Sequence, residues 1–323
     1  LKVAGTYLSK PINLIASSAG EFTSTNGNLS LMEECVSKIK ALNIHTGDEV
    51  ENLYHSVHKM ESDVCYNIKE LTHVTAEKER ISTELNLASR IQLESLPKGY
   101  PAFPNRTDFD LYATMNPAKE VGGDLYDYLL LDDDNLLLVV GDVSGKGVPA
   151  ALFMMIAKTL LASQAEQGFS PQEIFAATNE QLCKGNETGL FVTCWLGIFT
   201  FSTGTLRFVN AGHPFPVLYH GGDFSYLSEK PNLMLGAMEG VMYKEYTLTL
   251  EHGDRLFIYS DGVTEATDSN NQLFGENRLL NALKSTPPLN APETIANVQS
   301  ALDSFAGETE RFDDITMLQF VWK

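Results

Sequence analysis

The chain has 323 residues, 43% of them hydrophobic, with 23 Lys and Arg against 42 Asp and Glu, a formal net charge of −19. That length allows one large domain and a smaller one, and the acidic balance argues against nucleic acid as a partner. No run approaches the roughly 20 apolar residues that span a bilayer, no secretory leader is visible, and Cys35, Cys65, Cys183 and Cys194, widely spaced and without a C-x-x-C pattern, default to reduced thiols.

In chain order, Tyr7 to Ile15 reads as a short helix with Pro11 tolerated in its first turn. Residues 20–47, polar and rich in Gly, Ser, Asn and Thr with a mixed piece from Met32 to Ile44, read as a connector. At Thr46-Gly47-Asp48-Glu49 a new helix opens, with acids where a helix start favours them. From Leu53 a 4-3 spacing runs unbroken through positions 57, 60, 64, 67, 71, 74, 78, 81, 85, 88 and 92; nine of these twelve residues are apolar, the seam of a coiled coil. Asn67, Lys78 and Gln92 interrupt it, and polar seam residues weaken a coil while fixing its register or leaving it poised between states. The plainer alternative is one amphipathic helix packed on its own domain.

This N-terminal stretch resembles a HAMP domain. The resemblance rests on Pro11 with Leu14 and Ile15, a connector, and Gly47-Asp48-Glu49-Val50-Glu51-Asn52-Leu53 leading to Val57-His58-Lys59-Met60. His58-Lys59-Met60 departs from the usual Phe-Asn-x-Met, and the connector is longer than usual. The resemblance covers residues 6–65 and implies a homodimeric helical bundle that relays signals from a membrane sensor. With a first residue that is Leu rather than Met, it leads us to expect a fragment whose transmembrane segment lies upstream. The expected location is the cytoplasmic, soluble portion of a bacterial inner-membrane protein. A coiled-coil linker would follow over 66–97.

Leu96-Pro97-Lys98-Gly99-Tyr100-Pro101 breaks the coil and marks a domain boundary. Beyond it strands dominate. Phe109–Met115 alternates, and Leu125–Leu131 and Leu136–Asp142 flank an Asp132-Asp133-Asp134-Asn135 turn, a hairpin. Helices are expected over 148–165 and 171–184, the second with a Ser170-Pro171-Gln172-Glu173 start signal. Strands follow at Phe191–Phe201, Thr205–Asn210, Val217–His220, Phe224–Leu227, Val241–Leu250 and Arg255–Ser260, helices at 274–284 and 292–306, and a last strand at Ile315–Trp322. Hairpin-linked strands with segregated helices indicate an α+β fold, two packed sheets with helices outside.

Four acidic sites share one context, an Asp beside Gly or another acid at a strand end: Gly122-Gly123-Asp124, Gly141-Asp142-Val143, Ser260-Asp261-Gly262 and Asp313-Asp314-Ile315. Each alone is a turn or cap residue. Together, at one edge of a sandwich, they would repel one another unless a cation neutralised them. Oxygen ligands without His or Cys favour Mg²⁺ or Mn²⁺ over Zn²⁺, and two such ions sharing a carboxylate could make a water nucleophilic near neutral pH.

Five motifs in order carry a second resemblance. They are Glu120-Val121-Gly122-Gly123-Asp124-Leu125-Tyr126-Asp127, Gly141-Asp142-Val143-Ser144-Gly145-Lys146-Gly147-Val148-Pro149-Ala150-Ala151, Asn210-Ala211-Gly212-His213, Tyr259-Ser260-Asp261-Gly262-Val263-Thr264-Glu265 and Asp313-Asp314-Ile315-Thr316. Residues 98–323 resemble the SpoIIE-like branch of the PPM family of metal-dependent serine/threonine phosphatases. The resemblance implies an αββα sandwich and two divalent cations, Mn²⁺ or Mg²⁺. Asp142 would bridge both ions and the Val143 carbonyl would bind one. Asp124 would serve the first ion, with Asp127 nearby, and Asp261 the second. Asp313 is the expected ligand of its pair, with Asp314 the alternative. The implied reaction is hydrolysis of phosphoserine or phosphothreonine on a signalling protein, with a STAS-domain protein as the implied partner. The rival is an inactive module that binds a phosphoprotein without hydrolysing it.

Further residues are weighed against plainer roles. Lys119 is a candidate for the substrate phosphate, against a solvated surface lysine. Lys146 lies in a Gly-rich turn, but the spacing of Gly141, Gly145 and Gly147 is not that of a nucleotide loop. His213 reads as a strand-end histidine bonded to backbone rather than a general acid, and Met154-Met155 as core packing.

Overall fold

The computed structural model describes residues 8–285 and 290–323; Tyr7, the first residue of the expected opening helix, lies outside them. The chain divides into two compact units, one ending at Glu84 and the other starting at Leu85.

In the first unit α1 (Lys10–Thr23) carries Pro11 in its first turn, and the expected connector is interrupted by a second helix, α2 (Leu29–Ala41). Two local causes make this segment helical. The Asn28 side chain accepts a hydrogen bond from Leu31 N–H, capping the helix, and Met32, Cys35 and Ile39 recur at helical spacing and are buried. The long helix α3 (Glu49–Ser95) runs without interruption through the predicted seam. Within this unit Ile15 and Ile39 pack with Val50 and Tyr54, and Phe22 and Met32 with Cys35 and Cys65. The seam residues Leu53, Met60, Val64, Leu71, Val74 and Ile81 stay exposed.

The second unit takes the end of α3 with it, because Leu93 and Leu96 pack into its core. Two five-stranded antiparallel sheets form its centre. One has the order β1 (Phe109–Asn116), β10 (Ile315–Trp322), β9 (Arg255–Tyr259), β6 (Val217–His220), β7 (Asp223–Tyr226). The other runs β2 (Leu125–Leu130), β3 (Asn135–Val143), β4 (Val192–Thr200), β5 (Thr205–Ala211), β8 (Tyr246–Thr249). Strand alternation sorts the side chains: Leu136, Leu138 and Val140 of β3 join Trp195, Phe199, Ile258 and Phe320 between the sheets. Leu137 and Val139 face outward, where Met154, Ala157 and Leu161 of α4 (Val148–Glu166) and Ile174 and Phe175 of α5 (Pro171–Cys183) cover them. The opposite sheet is covered by α6 (Gly275–Lys284) and α7 (Ala291–Ala306), through Leu279, Val298 and Leu302. The architecture is therefore the expected α+β sandwich with helices on both outer faces.

Two local readings differ. Residues 241–245 of the expected strand Val241–Leu250 are not paired into the sheet; Lys244 N–H and C=O bond the Asn232 side chain instead, and β8 is confined to four residues. Among the described residues α4 alone is long and apolar enough to cross a membrane by length and composition. Its place is on the sandwich, with Ala150, Met154, Ala157, Leu161 and Ala165 buried there.

Candidate metal centre

Antiparallel pairing sets Leu125 opposite Gly141, so Asp124 enters β2 beside Asp142 as β3 leaves. Both stand at even positions with Tyr126 and Val140, on the face turned toward the other sheet. In that other sheet Tyr259 pairs with Met317 and Asn116 with Ile315. Asp261, just past β9, and Asp313 and Asp314, just before β10, therefore lie at the same end of the sandwich. Register thus brings two acidic motifs to one end of each sheet.

Hydrogen bonds join the two sheets across this end. Ser260 Oγ donates to Asp124 Oδ2 at 2.7 Å and accepts from Thr316 N–H at 3.0 Å. Asp314, 8% exposed, accepts from three backbone groups: Ala118 N–H (2.7 Å), Gly123 N–H (2.6 Å) and, more weakly, Asp124 N–H (3.4 Å). Its carboxylate is occupied as a tie between loops. Asp313 is different. Its Oδ2 meets Lys146 Nζ at 2.9 Å and its Oδ1 accepts from Asp314 N–H. Lys146 also donates to the Phe312 carbonyl and lies 4.0 Å from the Phe312 ring centroid.

The acids perturb one another. Burial, then the charges of Asp261 and Asp313, pushes Asp142 up to about 7, while a hydrogen bond with the Asp124 carboxyl pulls the other way. Asp261 is pushed up to about 6 by burial, then by Glu265 and Asp313. Asp124, 1% exposed, is raised by burial and then by Asp142, against the opposing Ser260 bond. The glycines make room. A Cβ on Gly123 would sit 3.0 Å from Val143 O and 3.6 Å from Asp142 Oδ1, and one on Gly262 would overlap the Asp314 carbonyl oxygen. All the donors are oxygens, the chemistry of a hard cation such as Mg²⁺ or Mn²⁺. Among the described residues no three His, Cys, Asp or Glu side chains are already drawn round one point, so the acids form a loose cluster rather than a closed cage.

Not every sequence candidate belongs to the cluster. Asp127 faces outward with Leu125 and Leu129, and pairs with Lys158 of α4 at 2.8 Å; two-residue alternation places it on the wrong face for the site. Lys119 is exposed beside the Ala118 that binds Asp314. His213 is buried just past β5, its Nδ1 3.0 Å from Thr193 Oγ1 of β4, and its backbone N–H and C=O both bond the Asn210 side chain. Burial pushes it down to about 3, so it is neutral. Sequence reasoning missed Ser260 as the tie to Asp124, and it weighed Lys146 only as a nucleotide-loop residue. It also read Gln92 as a seam residue. That side chain is buried against Gly122.

The family model described as stage II sporulation protein E (SpoIIE) matches residues 132–323. The chain belongs to the SpoIIE family. Among curated relatives of this SpoIIE-family chain, protein IcfG of Synechocystis is 28% identical over 264 residues, 73% of this chain and 41% of IcfG. Phosphoserine phosphatase RsbU of Bacillus subtilis is 26% identical over 272 residues, 83% of this chain and 79% of RsbU. The chain thus spans less than half the length of IcfG. In structure it resembles the SiaA-PP2C domain of Pseudomonas aeruginosa, with a TM-score of 0.68 at 24% identity, over 77% of this chain and 99% of that one. The fold is the PP2C fold.

Two outcomes separate structural from site residues. Lys158→Met strands the Asp127 carboxylate and should destabilise the domain by roughly 3 kcal/mol, read by denaturant unfolding, while leaving divalent-cation binding unchanged; lost cation binding in a folded variant would return Asp127 to the site. For His213, the folded pKa lies below the ordinary 6.5, so the unfolded chain takes up the proton first. Stability that depends on neutral His213 is complete above that value and is lost as pH falls toward about 3. The loss approaches about 1.4 kcal/mol per pH unit. His213→Asn should flatten the slope of unfolding free energy between about pH 6 and pH 4 relative to the parent chain; parallel slopes would contradict a neutral buried ring.

Proposed function

We propose that residues 98–323 form a metal-dependent phosphatase that hydrolyses phosphoserine or phosphothreonine on a signalling protein. The observation that carries the reading is the convergence of Asp124 and Asp142 from one sheet with Asp261 and Asp313 from the other. The phosphoserine phosphatase name of RsbU supports the substrate class. In this reading Asp142 would reach two ions, Mn²⁺ or Mg²⁺. Asp124 and the Val143 carbonyl would hold one, and Asp261 and Asp313 the other. The preference for Asp313 over Asp314 is supported by the three backbone N–H groups that already occupy the Asp314 carboxylate. Bound ions would supply Lewis-acid polarisation of the phosphoryl group and an activated water.

The chain's own residues do the rest. Ser260 holds the Asp124 carboxylate in place and Asp314 fixes the loop that carries it. Gly123 and Gly262 leave the space a side chain would fill. Lys146 supplies a positive charge next to Asp313, and Lys119 stands exposed near the same end for an incoming phosphate. The exposed Phe312 beside Lys146 offers an apolar contact for the substrate protein. A phosphorylated STAS-domain protein is the partner we propose.

The exposed seam of α3 supports a homodimer through this helix. The proposal includes a HAMP-type relay, a membrane anchor upstream and a cytoplasmic location. Those three elements rest on Pro11, Leu14, Ile15 and Gly47-Asp48-Glu49, and the helical residues 29–41 depart from a HAMP connector.

Asp142→Asn should cut Mn²⁺-dependent phosphate release from a phosphoserine protein by roughly 100-fold or more. It should also raise the melting temperature of the cation-free protein, because one of several repelling buried charges is gone. A parent chain that binds the phosphoprotein but releases no phosphate with any divalent ion would favour the inactive binding module. For the helix, Leu71→Asp combined with Val74→Asp should convert a dimer to a monomer in sedimentation equilibrium; an unchanged mass would remove the seam as the interface.

A further inference from the structure

Gln92 lies in the last turn of α3 and is 2% exposed. Its Nε2 donates to Gly122 O at 2.6 Å, and its Oε1 accepts from Gly122 N–H at 3.1 Å. The side-chain amide thus pairs with both polar groups of one residue, as a neighbouring strand would. Gly122 needs this partner because it precedes β2 and has no strand beside it. On its other side there is no slack: a Cβ on Gly122 would stand 2.6 Å from Asp314 Oδ2. The next residue, Gly123, bonds Asp314 through its N–H and Val143 N–H through its carbonyl. Asp124 follows.

The helix end that carries Gln92 is itself anchored. Leu93 and Leu96 enter the core between the sheets, Ser95 Oγ donates to Gln92 O, and Tyr126 of β2 donates its hydroxyl to Pro97 O at 2.8 Å. The loop before Asp124 is therefore held by Asp314 just ahead of β10, by Val143 N–H of β3 and by Gln92 from the helix.

We propose that Gln92 is a positioning residue for the metal centre. Through Gly122 it fixes the backbone that delivers Asp124 and faces the Val143 carbonyl, and it thereby couples the register of the last turn of α3 to divalent-cation affinity. A shift or rotation of that turn breaks both bonds and loosens Asp124 without touching any carboxylate. The consequence for cations rests on the metal reading of the site proposed above.

The test uses the whole chain and two variants. Gln92→Met keeps the bulk of the side chain and removes both hydrogen bonds, and Gln92→Ala removes bulk as well. Asn179→Ala serves as a control for general loss of stability: it deletes buried bonds to Gly236 and Met238, away from the acids. Two readouts are followed, Mn²⁺ uptake by calorimetric titration and, without cation, hydrogen exchange of the amides of residues 121–125. Both Gln92 variants should weaken Mn²⁺ uptake about tenfold or more and speed exchange over 121–125, with phosphate release at saturating Mn²⁺ close to the parent's. Asn179→Ala should change neither readout. If the parent takes up Mn²⁺ and the folded Gln92 variants match it in both readouts, the Gln92 assignment is overturned. A parent chain that takes up no divalent cation overturns the metal reading of the acids, and the coupling to cation affinity with it. Equal changes in Asn179→Ala would reduce Gln92 to a general stabilising residue and also overturn the proposal.

Discussion

Carboxylates gathered at the edge of a sandwich repel one another where water screens them poorly, and this repulsion is the constraint that the end of the fold is built to withstand. Asp142 and Asp124 meet because β2 and β3 pair in a fixed register, and a one-residue slip of β2 would turn Asp124 to the outer face. The other sheet brings Asp261 and Asp313 by the same means. Between them, Ser260 Oγ bridges the sheets, donating to one acid and accepting from the backbone of the next strand. The core between the sheets keeps this scaffold rigid, so the strain of like charge is not relieved by moving the strands apart. Lys146 supplies a positive charge at Asp313, and a bound cation would relieve the rest.

The two adjacent acids at 313 and 314 show how environment assigns roles that composition leaves equal. Asp314 is buried and its oxygens are consumed by backbone N–H groups of the β1–β2 connection, so removing it would unfasten the loop that carries Asp124. Asp313 points to Lys146 and keeps its carboxylate at the edge of the cluster. The motif order raised both, but only the three N–H partners distinguish them. Asp127 and Asp142 make the same point across a strand: both lie in strong motifs, and their positions in the two-residue alternation send one to Lys158 and the other to the site.

Much of this was legible because the relevant physics is local. The hairpin of β2 and β3 announces itself by two apolar runs around Asp132-Asp133-Asp134-Asn135, whose Asp132 side chain accepts from Asp134 and Asn135 N–H. The helices at 148 and 171 are marked by Pro at their starts, and Ser170 with Glu173 closes a capping box. What escaped had two different causes. The helix at 29–41 carries local signals, Asn28 as its cap and Met32, Cys35 and Ile39 at helical spacing, but the polar residues between them made the segment resemble a connector. Residues 241–245 alternate like a strand, yet Asn232 takes the backbone bonds of Lys244. That contact spans twelve residues and lies outside any short window of sequence.

Gln92 is the clearest case of a residue whose meaning is set from outside its own helix. By spacing it continues a seam whose earlier members include the exposed apolar residues Leu53, Met60, Val64, Leu71, Val74 and Ile81. An apolar residue at 92 would extend that seam and fit the core beside Leu93 and Leu96. It would also leave the N–H and C=O of Gly122 buried without partners, at a cost of about 1–3 kcal/mol for each. Asn is too short to span the same gap, and a carboxylate could accept from the N–H but could not donate to the carbonyl. Glutamine alone among side chains of this length offers a donor and an acceptor in one rigid plane, matching a peptide group. The polar break in the seam is thus a peptide mimic placed where the helix meets the loop that delivers Asp124.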